Sequence, residues 1–113
     1  MNKFCHIEIP APNLDAAVKF YTELFGWETQ PMGPTYVFYQ NDSVGGGFDA
    51  DMKVADGGCN LVIEVEDIPA KLKEIEAAGG KTVKEKTAIG NEYGFFASFL
   101  DINGNRLSLW SKN

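Results

Sequence analysis

The sequence predicts an α+β protein made of two consecutive modules, each with the order strand, helix, strand, strand, strand. The first observation is an internal repeat: residues 6–27 align without a gap on residues 60–81, so that His6 falls on Asn60 at an offset of 54 residues. The second is that both copies open with strand-like alternation and continue with apolar residues at helical spacing. The third is that turn residues divide the rest of each copy into short strands. This order of elements is typical of an α+β architecture.

The opening strand of each module is predicted from the alternation of its side chains. In the first module Ile7 and Ile9 lie on one face, and the other face carries His6, Glu8 and Phe4. In the second module the two alternating faces are Leu61, Ile63, Val65 and Asn60, Val62, Glu64. By this strand parity Glu8 and Glu64 take the same face as His6.

A capped helix follows the opening strand in both modules. Asn13 is a favourable N-cap for the first helix, and Gly26 stands where a left-handed residue is needed to end it. Asp67 caps the second helix, and Gly79-Gly80 terminate it. Apolar residues recur at helical spacing in both helices, namely Leu14, Ala17, Val18, Tyr21, Leu24 and Phe25 in the first and Ile68, Leu72, Ile75 and Ala78 in the second.

Three strands are predicted after each helix, at about 27–31, 35–40 and 44–49 in the first module and at about 81–86, 93–100 and 105–110 in the second. Asn103-Gly104 indicates a tight turn between the last two strands. The whole chain, 1–113, is predicted to form a single domain. Its parts are a first module at about 1–50, a polar, glycine-bearing linker at about 51–58 and a second module at about 59–113.

Composition excludes several classes of partner. The formal net charge is −6 and no Lys/Arg cluster interrupts the acidic chain, so we expect no nucleic-acid partner. No apolar run approaches the roughly 20 residues that span a bilayer, and no signal-type hydrophobic stretch opens the chain. We therefore expect no membrane partner and a cytoplasmic location. Cys5 and Cys59 form no CxxC pair, and the simplest expectation is that both are buried and reduced.

Two stretches carry a family resemblance. HIEIPAPNLDAAVKFYTELFGW, beginning at His6, and FFASFLDINGNRLSLW, beginning at Phe95, resemble the vicinal oxygen chelate superfamily of glyoxalase, bleomycin-resistance and extradiol-dioxygenase proteins. The chain is most similar in these stretches to short proteins related to lactoylglutathione lyase. The resemblance implies two βαβββ modules whose curved mixed sheet surrounds a cavity. It also implies a homodimer.

The same resemblance implies up to four metal-ligand positions, one in the first and one in the last strand of each module. In this chain they are His6, Asn60, a residue near Gly47, and Ser108, where metal-binding relatives carry a carboxylate. Only His6 is a strong ligand, and the chain has no second histidine. Since metal sites of this kind need about three protein ligands, we expect no cofactor. An atypical divalent metal held with the help of Glu8 or Glu64 stays open.

Each candidate site residue has more than one interpretation. His6 is either a pocket hydrogen-bond donor or general base, or a former ligand satisfied by polar neighbours. Glu8 and Glu64 are either catalytic acid/base groups or carboxylates solvated at the cavity mouth. Ser108 and Trp110 share a strand face opposite to the neighbouring leucines, so both are candidates for the cavity wall. Aromatic residues of the later strands, with Tyr39 among them, are further candidates for the wall.

Two functions from different classes follow from these residues. The first is a protein that binds a small organic molecule in a metal-free cavity lined by His6, Gly47, Tyr39, Asn60, Ser108 and Trp110. The alternative is a lyase or isomerase related to lactoylglutathione lyase, with His6 or a cavity carboxylate as acid/base. A third possibility is an accessory protein that acts through its dimer surface. The sequence does not decide whether the protein is an enzyme.

Overall fold

The computed structural model describes residues 1–55 and 57–113, and these form two compact units, Met1–Val54 and Ala55–Asn113. The first unit contains β1 (Ile7–Pro10), α1 (Leu14–Phe25), β2 (Glu28–Pro31), β3 (Tyr36–Gln40) and β4 (Gly46–Asp49). The second contains β5 (Val62–Glu64), α2 (Ile68–Ala77), β6 (Lys81–Ala88), β7 (Phe95–Leu100) and β8 (Arg106–Ser111). The repeated strand-helix-strand-strand-strand order confirms the predicted α+β class.

Each unit holds one four-stranded mixed sheet, with strand order β1-β4-β3-β2 in the first and β5-β8-β7-β6 in the second. The opening strand runs parallel to the closing strand, and the other pairs are antiparallel. Glu8 lies opposite Gly47 in the first sheet, and Val62 lies opposite Ser108 in the second. Because Glu8 and Val62 correspond in the repeat, Gly47 and Ser108 occupy corresponding positions. The pairing with β1 therefore fixes the register of the glycine run, which the sequence pattern could not determine because glycine has no side chain.

Both predicted N-caps are present in the structure. Asn13 Oδ1 accepts a hydrogen bond from the Ala16 amide at 3.1 Å, and Asp67 Oδ1 accepts one from Ala70 at 3.0 Å. Gly26 ends α1 in the left-handed conformation with φ 70°, which a side chain would disfavour. No helix of the described residues is long and apolar enough to cross a membrane.

Aromatic packing fills the core of the first unit between α1 and the sheet. The ring of Trp27 stacks on Tyr21 at 4.8 Å and on Tyr39 at 4.7 Å, and Phe48 packs against Tyr39 at 4.9 Å. Tyr39 is 3% exposed and its hydroxyl donates to the Ile7 carbonyl oxygen at 2.8 Å. The Tyr39 ring therefore packs on the helix-facing side of β3, and the residue also borders a recess of the first sheet. The role predicted for Tyr39 in a cavity wall stays a prediction.

Two other sequence expectations change in detail. Cys5 and Cys59 are both exposed free thiols, so the prediction that they are buried is wrong. Each lies just before the opening strand of its unit, outside the core that the strand and helix enclose. The turn at Asn103-Gly104 is present, but the buried carboxylate of Asp101 organises it by accepting from the amides of Asn103 and Asn105 at 2.9 Å each.

Candidate functional site

A hydrogen-bonded cluster of three side chains lies on the face of the first sheet that points away from α1. The hydroxyl of Tyr36 is at its centre, 2.7 Å from His6 Nε2, and it donates to Glu8 Oε2 at 2.8 Å. His6 Nε2 and Glu8 Oε2 are 3.5 Å apart. The His6 and Glu8 side chains are 39% and 43% exposed, so the cluster is open to solutes. His6 and Glu8 thus lie on one face of the sheet, as the alternation predicts, and the Tyr36 hydroxyl lies between their side chains.

The backbone of three strands sets up this cluster. His6 immediately precedes β1 and Glu8 lies within it, so their spacing of two residues turns both side chains the same way. Tyr36 opens β3, and β4 separates β3 from β1 in the sheet. A Cβ built on Gly47 in β4 would overlap the Tyr36 hydroxyl and lie 2.5 Å from a carbon of its ring. The absence of a side chain at Gly47 is what lets the phenol reach across β4 to Glu8.

The phenol of Tyr36 is held in its protonated form. Burial, the hydrogen bond to Glu8 and the negative charges of Glu8 and Asp49 together raise the pKa of Tyr36 from 10.0 to about 12. Each of these effects disfavours the phenolate. Burial also raises the pKa of Tyr39. At neutral pH the Tyr36 hydroxyl is therefore a hydrogen-bond donor and not a base.

A recess of about 310 Å³ adjoins the cluster on the same sheet. Its lining combines His6 with residues of three strands, Glu28, Thr29, Gln30, Phe38, Tyr39, Gln40 and Gly46. The ring of Phe38, 37% exposed, meets both His6 and Tyr36 edge to face, at centroid distances of 6.3 and 5.3 Å. Tyr39 borders the recess, although its ring belongs to the core. Among the lining residues Glu28 is a carboxylate, and none is lysine or arginine.

The corresponding positions of the second unit form a neutral hydrogen-bond chain. Ser108 Oγ donates to Asn60 Oδ1 at 2.9 Å and lies 3.2 Å from Ser98 Oγ. Ser98 and Ser108 are opposite each other in the β7–β8 pairing, and both are buried. These groups satisfy one another, so each has less capacity to bind a ligand. The sequence does not single out Ser98, because only the β7–β8 pairing places it opposite Ser108.

Glu64 and Trp110 are neighbours in the β5–β8 pairing of the second unit. Trp110 is half-buried, and its Nε1 donates to the Tyr93 carbonyl oxygen at 2.8 Å. Glu64 is exposed. The roles predicted for these two residues, a wall of the cavity for Trp110 and acid/base chemistry for Glu64, stay predictions.

The donor set does not fit the metal that the family resemblance implies. The Tyr36 cluster of the first unit offers one imidazole and one carboxylate, and both are hydrogen-bonded to Tyr36. The second offers the amide of Asn60 and two serine hydroxyls, which are weak neutral ligands. The described part of the chain contains no group of three or more His, Cys, Asp or Glu side chains able to hold a metal ion.

Comparison with known proteins identifies a family. Residues 3–109 match the sequence profile described as the Glyoxalase/Bleomycin resistance protein/Dioxygenase superfamily. A "Glyoxylase-like domain-containing protein" of Didymella fabae is 28% identical over 109 residues, which cover 88% of this chain and 85% of that protein.

Solved structures share the fold. A glyoxalase/bleomycin resistance protein/dioxygenase family enzyme from Burkholderia phytofirmans superposes with a TM-score of 0.83 at 15% identity, covering 98% of this chain and 99% of that one. A lactoylglutathione lyase from Agrobacterium tumefaciens gives a TM-score of 0.72 at 16% identity, covering 98% and 94% of the two chains. At these identities the likeness concerns the fold alone.

Proposed function

The chain belongs to the Glyoxalase/Bleomycin resistance protein/Dioxygenase superfamily, and on this basis we propose that it binds a small organic molecule in the recess of its first unit without a metal. The observation that carries the proposal is the Tyr36 phenol, which occupies the space of a side chain at Gly47 and binds both His6 and Glu8. A metal in that place would have to displace the phenol. An organic ligand can instead contact the exposed edge of the His6 ring and the ring of Phe38 without displacing the phenol.

The charges around the recess favour a neutral or cationic ligand with a planar apolar part. Glu28 lines the recess, Glu8 lies beside His6, and no lysine or arginine lines it. An anion would lack a partner and meet two carboxylates, whereas a cation would be attracted by both. Phe38 presents an exposed aromatic surface on which a planar group can pack. Gln30 and Gln40 also line the recess, and each has a side-chain amide that can form hydrogen bonds.

Three small molecules of nearly equal shape test this preference. Benzamide is neutral, benzamidine is cationic and benzoate is anionic, so differences in their binding report charge. We expect benzamidine and benzamide to shift the amide resonances of β2, β3 and His6 saturably in chelator-treated protein, and benzoate to shift them least. Nuclear magnetic resonance titration measures all three on the same sample.

A pair of phenylalanine variants controls the location of binding. Phe38→Ala removes the exposed ring of the recess and is expected to weaken benzamide binding roughly fivefold or more, the loss expected from one aromatic contact. Phe4→Ala removes a ring that is 83% exposed and does not line the recess, so it should leave the titration unchanged. Saturation by benzoate alone, or equal loss in both variants, would contradict the proposal.

Catalysis by His6 is the second candidate function. It is favoured by the contact of the imidazole with Tyr36 and, through it, with the Glu8 carboxylate, an arrangement that can support a positioned acid/base group. A lyase or isomerase of this kind would lose turnover in His6→Ala while retaining ligand binding through Phe38. A cytoplasmic location and a homodimer also belong to the proposal, and light scattering of the purified protein tests the dimer.

A further inference from the structure

We propose that Tyr36 and Glu8 are positioning residues that hold the neutral His6 ring in one tautomer, with its proton on Nε2 and its Nδ1 left as the acceptor for a ligand. The role of Nδ1 toward a ligand rests on the proposed function, whereas the tautomer itself does not. Glu8 anchors the hydrogen-bond chain, and His6 is its end at the recess.

Counting protons in the cluster fixes the direction of the chain. A phenol carries one proton, and an ionised carboxylate has acceptor atoms only. The Tyr36 hydroxyl donates to Glu8 Oε2 at 2.8 Å, which uses that proton. Its oxygen is then an acceptor toward His6 Nε2, 2.7 Å away. A contact this short between a ring nitrogen and a phenol oxygen needs a proton between the two atoms. Because the phenol proton is already used, His6 Nε2 has to carry that proton.

The reverse order leaves an unfavourable contact. If Tyr36 donated to His6 Nε2, its oxygen would face Glu8 Oε2 at 2.8 Å with no proton between the two oxygens. Only a protonated Glu8 would relieve this, yet the Glu8 side chain is 43% exposed and water solvates its charge. The raised pKa of Tyr36, about 12, agrees with a proton that stays on the phenol.

The chain leaves one imidazole nitrogen for external partners. His6 lines the recess, and no hydrogen bond joins its Nδ1 to any residue that the structure describes. A neutral Nδ1 accepts a hydrogen bond, so the site selects ligands that offer an N–H or O–H group. If the ligand transfers that proton to Nδ1, the resulting imidazolium keeps Nε2–H on Tyr36, with the Glu8 carboxylate 3.5 Å away. The ligand class is thereby narrowed to planar hydrogen-bond donors such as amides and amidines.

The tautomer can be read directly because the chain has one histidine. Nitrogen-15 spectra of the His6 ring at alkaline pH, where the ring is neutral, distinguish the protonated from the unprotonated nitrogen. We expect a single dominant form with the proton on Nε2, by roughly tenfold or more, as one charge-assisted hydrogen bond produces. We also expect a visible Nε2–H proton resonance, since the hydrogen bond slows its exchange with water.

Two variants separate positioning from a general effect on folding. Tyr36→Phe removes the phenol oxygen and should abolish the Nε2–H resonance and return the ring to a rapidly exchanging tautomer mixture; Glu8→Ala should do the same. Tyr93→Phe deletes the hydroxyl of an exposed tyrosine in the second unit and should leave the spectrum unchanged. A dominant Nδ1–H form, or identical spectra for the parent protein and Tyr36→Phe, would overturn the inference.

Ligand binding is a separate arm of the experiment. Added benzamide should shift the Nδ1 resonance more than that of Nε2. If benzamide binds in the recess of a protein whose ring carries its proton on Nδ1, the positioning inference fails and the proposed function stands. If the Nε2–H form is found but benzamide, benzamidine and benzoate leave the ring unshifted, the proposed function fails and the positioning inference stands.

Discussion

Gly46→Ala is expected to destabilise the first unit by roughly 3–5 kcal/mol, the upper range for single substitutions. A Cβ built on Gly46 would overlap the carbonyl oxygen of Ile7 and lie 2.6 Å from its carbonyl carbon. Both atoms belong to the backbone of β1, and Ile7 lies opposite Gly46 in the parallel pairing. A backbone cannot rotate out of the way, so β1 and β4 have to separate. Glu8 lies in β1 and would move with that strand.

Urea unfolding followed by circular dichroism measures the expected loss, and Gly47→Ala is the matched control. The same methyl group is added one residue further along the same strand, where it meets the end of a side chain instead of backbone. We expect Gly46→Ala to cost at least about 2 kcal/mol more than Gly47→Ala. Equal costs for the two variants would contradict the close approach of β4 to β1.

Gly47→Ala is expected to dismantle the site while leaving the fold in place. Its Cβ would overlap the Tyr36 hydroxyl, and the ring can swing away because it lies on the open face of the sheet. The expected cost in stability is about 1 kcal/mol, typical of a surface rearrangement. Without the phenol, His6 and Glu8 lose their common hydrogen-bond partner.

The effect on the site is measured by the ring nitrogen spectrum of His6. The Nε2–H resonance should disappear in Gly47→Ala, as is also expected for Tyr36→Phe, although no atom of the cluster itself is removed. Benzamide should bind roughly fivefold more weakly, the loss expected when one neutral hydrogen bond to the His6 ring is weakened. A spectrum and a benzamide affinity equal to those of the parent protein would show that Gly47 is not what admits the phenol.

Much of the fold could be predicted because local chemistry specifies it. Asn13 and Asp67 each satisfy an amide of the first helical turn, and Gly26 tolerates the left-handed conformation at the end of α1. These effects need no knowledge of distant residues. The 54-residue offset between His6 and Asn60 adds the second module by repetition. Strand ends differ by one or two residues, and β5 is confined to Val62–Glu64.

The site was harder to predict because β3 carries aromatic side chains on both faces. Tyr36 and Phe38 lie on the open face, whereas Tyr39 packs with Trp27 in the core. Strand parity separates the two sets but does not say which faces the helix. Val37 has the same parity as Tyr39, and its aliphatic side chain is a sequence signal that this face of β3 is the buried one. In the structure both residues are buried.

Glycine and serine concealed the rest of the site. Gly47 gives no hydrophobic pattern, so its partner in β1 could not be read until the pairing with Glu8 was known. Ser98 becomes relevant only through its position opposite Ser108 in the β7–β8 pairing. Both cases depend on the register between strands, a property of the folded sheet and not of one segment.

We propose that the His6 cluster is an organic-ligand site in which the Tyr36 phenol occupies the place of a metal, and not a metal centre. Elemental analysis of protein purified after growth with added zinc, nickel, iron and manganese tests it most directly. With one imidazole and one carboxylate in the cluster, both engaged by Tyr36, we expect well under one equivalent of any transition metal per chain. One equivalent in the parent protein that is lost in His6→Ala would contradict the account.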